Sequence, residues 1–442
     1  MRNPHRSATK LPIIIYAFAS AASLYAGPIY VGNCGRPSQP TIQAAVNASQ
    51  PGGMVFICPG TYSEQVTITK NLNVSGVAAG NANQVVIAIP TGGISQNATD
   101  PATNFAVAAQ VLVESNANVR LSNVTVDGAN NNIMTCGLDL RGVYYLNASG
   151  EIENVATRNQ ILPPGFTGCQ SGQGIFVQAG YGVSLNQRVN IHNNSVHSFE
   201  KNGITADGNT LQVQIQNNYI VGQGPTTGAA ENGIQISDGA QGHILQNVIS
   251  DEIWAPDMSS DRGDAARGIL IVGSENVEVA YNIISSTQFA IAAETDSGFG
   301  TPGNPNGLAD KSNIHNNQIM GTQIFDAIDA CSNNNQIQGN KIYFATEAGV
   351  YLDPSCGTAS SSTGMRNQVG GNNINEACTA VLEGATPNFI DIGNNVYNVP
   401  SEILVGNACT AGASAAPSIA GASAEIGTSA AKFVHPRFSP AR

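Results

Sequence analysis

Charge is scarce in this chain, and helical patterning is scarcer. Only 11% of the 442 residues are Asp, Glu, Lys or Arg, and 30 acidic residues outnumber 18 basic ones for a formal net charge of −12. No Lys/Arg cluster offsets that balance, which argues against a nucleic-acid partner. Beyond residue 55, apolar residues hardly ever recur at the 3.6-residue spacing of a helix, which excludes an alternating βαβ sheet. After an apolar run from Leu11 to Leu24 no stretch is apolar enough to span a bilayer. Cys-x-x-Cys is absent and the six histidines are not clustered, so a structural zinc site lacks a ligand set. There is a single tryptophan, Trp254.

What the chain has instead is a repeated anchor, an aliphatic residue followed by an asparagine corner. It reads Ile191-His-Asn-Asn194, Ile215-Gln-Asn-Asn218, Ile244-Leu-Gln-Asn247, Val279-Ala-Tyr-Asn282, Ile314-His-Asn-Asn317, Ile337-Gln-Gly-Asn340 and Val369-Gly-Gly-Asn372. Another aliphatic residue follows two positions on, from Val196 and Ile220 to Ile374. Successive last asparagines are 24, 29, 35, 35, 23 and 32 residues apart, a floor near one rung with loops of variable length. A second beat pairs a small residue with an aliphatic one, as in Gly203-Ile204, Gly233-Ile234, Gly268-Ile269, Ala290-Ile291 and Gly349-Val350, with earlier copies at Gly174-Ile175 and Gly137-Leu138. Apolar and other residues alternate around these pairs, which is strand periodicity. Strands that turn at every rung without helices must wind around their own axis, so the expected fold is an all-β solenoid, a single right-handed parallel β-helix. Asparagine suits the corner because it tolerates the left-handed conformation and its amide can bond the next rung.

These anchors resemble the parallel β-helix repeat of the pectin-lyase-like superfamily. The segment Pro40-Thr-Ile-Gln-Ala-Ala-Val46, then Gly52-Gly-Met-Val-Phe-Ile-Cys-Pro-Gly-Thr-Tyr62 and Glu64, is similar to the opening of pectinesterases. That resemblance implies a short N-terminal helix plugging the first rung. The family's catalytic motifs are not matched. Ala206-Asp207-Gly208, Ser237-Asp238-Gly239, Gly242-His243-Ile244 and Arg267-Gly268-Ile269 resemble the ordered motifs of polygalacturonases, but the second aspartate of the pair is missing and no lysine completes the last motif. No Asp lies in a pectinesterase-like context.

Residues 1–26 read as a secretory signal, with Arg2, Arg6 and Lys10 before the apolar run and small residues near Ala22 or Ala26. The mature chain is therefore expected to be secreted, or periplasmic in a bacterium, with the solenoid over 27–410 and a low-complexity, flexible tail over 411–442. Eight cysteines suit that compartment. Cys34 and Cys58, Cys136 and Cys169, Cys331 and Cys356, and Cys378 and Cys409 are 24, 33, 25 and 31 apart, each about one rung, so four sequential disulfides are the preferred connectivity.

Counting from the aliphatic residue of each pair, the first and third positions after it point outward on one sheet. Along the early rungs they read Asp139 and Arg141, Phe176 and Gln178, Thr205 and Asp207, then Gln235 and Ser237 with Asp238 next. Ordinary solvated side chains are the bland reading of such a stripe. The sharper one makes Asp207, Asp238, Asp139 and Arg141 candidate catalytic residues, since carboxylates on neighbouring rungs are admissible as an acid–base pair. Long connections follow Asn218 and Asn247, and the earlier asparagines Asn123 and Asn154 if these are counted as anchors, all on one edge of the N-terminal half, so a wall beside the polar stripe should make a groove suited to a polymer. Phe176, Gln178, Gln235, Glu231, Arg267 and Trp254 are the candidate substrate contacts. The loop from Asp251 to Arg267, with Trp254 among carboxylates, makes Ca²⁺ a candidate ligand although EF-hand spacing is absent; a Trp that merely pins its loop is an equal reading. Three classes stay open: a polysaccharide lyase or glycoside hydrolase, a polysaccharide-binding β-helix without catalysis, and a scaffold or adhesin presenting loops to a partner.

Overall fold

The computed structural model describes residues 27–78, 81–166, 168–255, 265–322, 325–356, 362–384 and 389–406. The expected signal over 1–26, the expected tail over 411–442 and Cys409 lie outside the described residues. Within them the chain is a parallel β-helix. Each rung lays a strand on face A, turns a corner to face B, then a second corner to face C. One rung runs Gln187–His192 on A, Ser195–Phe199 on B and Asn202–Asp207 on C, and the next begins at Leu211–Gln216 on A. Face A is a 14-stranded sheet; faces B and C join into one 23-stranded sheet because Lys341–Leu352 and Asn373–Glu383 run round the corner between them. The paired strands of the rungs are parallel, and the short strand Ala98–Thr99 lies antiparallel against Ala106–Val113.

Register follows the aliphatic columns. On face A Ile152, Ile191, Ile215, Ile244, Val279, Ile314, Ile337 and Val369 stack in order. On face B Val196, Ile220, Ile249, Ile284, Ile319, Ile342 and Ile374 do the same. These side chains are buried in one continuous core. The N-terminal end is plugged by the helix Ile42–Ala48, whose Ile42, Ala45 and Val46 are buried. Thr41 caps it, its hydroxyl accepting from Ala44 N at 3.0 Å, and the Glu64 carboxylate accepts from Ile42 N (2.8 Å) and Gln43 N (3.0 Å). Those bonds satisfy amides that a helix start leaves open.

The corner between A and B divides between two residues the roles expected of one asparagine. The left-handed conformation belongs to the residue before the anchor asparagine: Asn193, Asn217, Gln246, Tyr281, Asn316, Gly339 and Gly371 all have positive φ, from 55° to 67°. The anchor asparagines themselves turn inward and form a ladder. Each Oδ1 accepts both the backbone N–H and the Nδ2 of the preceding rung, as Asn218 Oδ1 does from Asn194 (3.0 and 2.9 Å). Each Nδ2 also bonds a carbonyl of the rung before, Asn218 to Ile191 O at 3.0 Å. The ladder runs through Asn247, Asn282, Asn317, Asn340 and Asn372 and ends on Asn394. It starts where Val155 N donates to Asn194; Asn123 and Asn154 are left-handed residues and not rungs of it.

Three disulfides join cysteines one rung apart: Cys34–Cys58, Cys136–Cys169 and Cys331–Cys356, with Cα–Cα distances of 5.6, 5.2 and 5.6 Å. Cys378 is disulfide-bonded as well. Among the described residues no helix is long and apolar enough to cross a membrane.

Candidate functional site

The polar stripe lies on the outer side of face C, with one change of register. Val143, not Leu138, aligns with Ile175 and Ile204, so the outward pair of that rung is Tyr144 and Leu146; Asp139 and Arg141 sit upstream, Arg141 opposite Gln173. The pair Gly137-Leu138 imitated the beat that Gly142-Val143 keeps. The stripe is also roofed. Asp139, Arg141, Phe176, Gln178, Thr205, Asp207 and Ser237 are all buried. The chain 97–105 folds over the early rungs through its antiparallel pairing, and Phe299 covers Leu270 and Val272 farther along.

Beneath that roof the side chains form a network. Arg141 binds Asp139 (2.7 Å) and Asp100 of the roofing segment, and its guanidinium carbon stands 3.7 and 4.3 Å from the ring centres of Phe176 and Tyr144. Burial alone would raise the Asp100 carboxyl, but the charge and hydrogen bond of Arg141 outweigh it and hold Asp100 below its ordinary value. Asp139 is pushed up by burial despite the same arginine. Gln178 bridges the two ends of the network, donating to Asp207 (2.7 Å) and Asp100 (3.2 Å). Asp207 also accepts from Tyr181 (2.9 Å) and Ser237 (2.9 Å). Burial, then the neighbouring Asp238 carboxyl within hydrogen-bond reach, pushes Asp207 well above the usual carboxylate range. The sequence pairing of Asp207 with Asp238 thus corresponds to contact in space, and Asp238 is the half-buried member. Contact is closer than the ~5–9.5 Å that separates the two carboxyls of a glycosidase.

The remaining candidates scatter. Gln235 is half-buried on face C, accepting from Asn202 at 3.0 Å. Arg267 pairs with Glu294 (2.7 Å) on the next rung. Glu231 is fully buried at the corner between B and C, and Trp254 packs against Ala230 and Ala266 with 6% of its surface exposed.

An open concavity lies on face B, a position the sequence reading did not single out. A cleft of about 470 Å³ is lined by Thr61, Ser63, Thr91, Asn130, Asp127 and Arg158, among others, with the turns at 89–92 and 129–132 as its wall. These turns leave the same B–C corner that was expected to carry the wall, but they lean toward face B. Asp127, Arg158 and His197 stand on three successive rungs in direct register. Arg158 Nε donates to Asp127 Oδ2 (2.8 Å) and Nη1 to Asn83 Oδ1 (3.0 Å), while Asn159 and Ala129 N fill Asp127 Oδ1 (2.8 and 3.0 Å). Burial alone would raise Asp127, but the hydrogen bonds from Asn159 and Arg158 hold it below its ordinary value. Burial and then the Arg158 charge push His197 down, which leaves its imidazole neutral near pH 7. A signal for these residues was present. Each stands four positions after a left-handed asparagine: Asn123, Asn154 and Asn193.

Two groupings of metal-ligating type occur among the described residues. Cys331, Cys356 and Asp353 are one, but the two cysteines share a disulfide and offer no thiolate. Glu151, Glu153 and His192 on face A are the other, and Arg120 already sits between the two carboxylates, 3.1 Å from Glu151 and bonded to Glu153. Neither carries a cation requirement. Of the acidic loop proposed for Ca²⁺, residues 256–264 lie outside the described residues.

No protein-family model matches the chain, and no characterised protein matches it by sequence. Solved structures do. The catalytic domain of a GH87 α-1,3-glucanase aligns with a TM-score of 0.55 and 14% identity over 88% of this chain and 69% of that one. PfbA, a surface adhesin of Streptococcus pneumoniae, aligns at 0.54 and 13% over 83% and 88%. The GH136 lacto-N-biosidase of Eubacterium ramulus aligns at 0.51 and 13% over 81% of this chain, which spans 64% of that protein's length. These are likenesses of fold. At such identities they place the chain among parallel β-helix proteins, enzymes and an adhesin alike.

Proposed function

We propose that the protein is a secreted glycan-binding β-helix whose face B cleft takes a segment of a neutral polysaccharide. The observation that carries this reading is the cleft itself: an open concavity that sets apolar Val86, Ile89 and Pro90 beside polar Thr61, Ser63, Thr91 and Asn130, and whose one charged pair, Asp127 and Arg158, is mutually compensated and held rigid by Asn83 and Asn159. Planar amide, carboxylate and guanidinium groups locked in place suit the paired hydroxyls of a sugar, since each offers two donors or acceptors at fixed spacing. A uronate polymer would meet no uncompensated cation there and would approach a chain of net charge −12. Two of the three named neighbours are described as acting on glycans, which supports a carbohydrate ligand without naming it.

The test is a binding panel of neutral and acidic glycans, by calorimetry, with reducing-end and unsaturated-product release followed in parallel. Binding to a neutral glycan that weakens about tenfold or more in Arg158→Ala and Asp127→Asn is the expected result. Unchanged binding in both variants moves the site off face B, and no binding to any glycan removes the reading. A second reading, catalysis at Asp207 and Asp238, is favoured by one observation: the raised carboxyl of Asp207 touches a half-buried partner. Product release abolished by Asp207→Asn and Asp238→Asn would establish it.

A further inference from the structure

The corner between faces B and C is lined inside by a column of polar side chains that changes chemistry along the solenoid. At its start stand Gln110 and Gln160, the Nε2 of Gln160 donating to Gln110 Oε1 (3.1 Å); farther on stands Gln288, whose Oε1 accepts from Trp254 N and Ala266 N (both 2.8 Å). Between these neutral amides come three glutamates: Glu200, Glu231 and Glu252. Backbone continuity marks Glu200 and Glu252 as occupants of the same column, since Glu200 N donates to Gln160 O (3.1 Å) and Gln288 N to Glu252 O (3.3 Å). All three are buried, at 3%, 0% and 0% exposure.

Among the described residues no cation is paired with their carboxyls. Glu200 accepts from Leu162 N, and Glu231 from Gln223 N (3.2 Å) and Ile253 N (3.2 Å). Among the described residues neither oxygen of Glu252 nor Oε1 of Gln160 has a well-formed hydrogen bond, with only the amides of Glu252 and Gly222 near the Glu252 carboxyl. Glycine clears the space: a Cβ at Gly228 would come within 2.6 Å of Glu200 Oε1, one at Gly222 within 2.8 Å of Glu231 Oε1, and one at Gly233 within 3.1 Å of Glu252 Oε1. The other charged groups at the corner do not relieve them. Asp251 adds negative potential at Glu231 and Glu252, and Lys201 directs its ammonium to Ala230 O (2.9 Å). A buried carboxylate without a cation is costly, whereas a protonated glutamic acid is a near-isostere of the glutamines above and below it.

We propose that Glu200, Glu231 and Glu252 are a proton-binding seam: with their protons on they behave as three more glutamines of the column, Glu200 holding the loop root at Leu162 and Glu231 those at Gln223 and Ile253, and losing those protons loosens that corner. Burial pushes Glu200 up to about 7, and pushes Glu231 and Glu252 well above the ordinary value. Stability from such groups is complete below the ordinary glutamate pKa of ~4.3 and is lost as pH rises through the folded value. The loss therefore runs from about pH 4.3 through about 7 for Glu200 and continues upward for the other two. The corner is built for mildly acidic surroundings.

The experiment compares the full chain with Glu200→Gln, Glu231→Gln, Glu252→Gln and the triple variant at pH 5 and pH 8. Hydrogen exchange at the amides of Leu162, Gln223 and Ile253 is read for each variant against the parent at the same pH. For Glu200→Gln the opening equilibrium at Leu162, relative to the parent, should fall by on the order of a hundredfold more at pH 8 than at pH 5. Parent and variants sharing one pH profile would overturn the proposal. If a variant does not fold, the infrared carbonyl band of protonated carboxylic acids decides, read in the parent at pH 7 with its glutamates carbon-13-labelled so that Asp139 and Asp207 absorb apart: a glutamic acid band supports the seam, and its absence shows three carboxylates and sinks it.

Discussion

Asn217 and Asn218 are adjacent, identical in chemistry and opposite in role, so they allow the corner to be tested within one dipeptide. Asn218→Ala removes the acceptor of the Asn194 backbone N–H (3.0 Å) and Nδ2 (2.9 Å), and the donor to Ile191 O (3.0 Å) and Asn247 Oδ1 (2.9 Å). The Asn194 amide is left buried without a partner, which costs about 1–3 kcal/mol, and the three weakened contacts add roughly 0.5 kcal/mol or more apiece. The expected loss is about 3–4 kcal/mol. Asn217 has φ of 55° and sits at the surface side of the turn. Asn217→Gly keeps a residue at home in that conformation, so its effect should stay within about 0.5 kcal/mol. Urea unfolding midpoints give the global comparison, and hydrogen exchange at the Asn194 amide gives the local one, which matters because a solenoid need not unfold in one step. Equal losses in the two variants, or a loss under about 1 kcal/mol for Asn218→Ala, would refute the division of roles.

Two further outcomes follow from the same geometry. Gly371 has φ of 65° with the nearest atom to a built Cβ at 3.8 Å, so Gly371→Ala meets strain without a clash and should cost about 1–2 kcal/mol by denaturant titration. Arg141→Met removes the guanidinium that lies over Phe176 and Tyr144 and strands Asp139 and Asp100 in the interior, for a loss of about 3–5 kcal/mol at pH 7. Because Asp100 is held below its ordinary value, its stabilisation is present above that value and fades as pH falls through the folded one. The gap between Arg141→Met and the parent should therefore narrow on acidification, and a constant gap between pH 7 and pH 3 would contradict the ion pair.

The rung was legible because it repeats. The aliphatic columns and anchor asparagines recur at fixed offsets, so errors in any single copy average out, and the anchors chosen from sequence form the ladder over their whole run. Where a feature occurs once, the same logic failed. Gly137-Leu138 met the small-aliphatic pattern five residues ahead of Gly142-Val143, because pattern alone cannot see which pair lies opposite Gly174-Ile175. The roof over face C was invisible for a different reason. It is made by a segment, 97–105, whose return onto Ala106–Val113 is antiparallel and outside the repeat. Outward periodicity identifies which side chains leave the core, and it says nothing about what then covers them.

That distinction decides where contact with a large partner can occur. A side chain that points away from a solenoid core has two fates, and the chemistry around it tells them apart. Under the roof of face C, Asp100, Asp139, Arg141, Gln178 and Asp207 bond chiefly to one another, as groups cut off from water must. On face B the ion pair of Asp127 and Arg158 is fixed by Asn83 and Asn159, yet it remains part of an open cleft with exposed Thr61, Ser63, Asn130 and Asn132 around it. The first arrangement stabilises a closed surface at the cost of access, and the second spends the same residue types on a rigid but reachable one. A polymer the length of several sugars can meet only the second without displacing chain. Face B is therefore where a ligand must first be sought, and face C becomes relevant to chemistry only at its half-buried edge, beside Asp238 and Gln235.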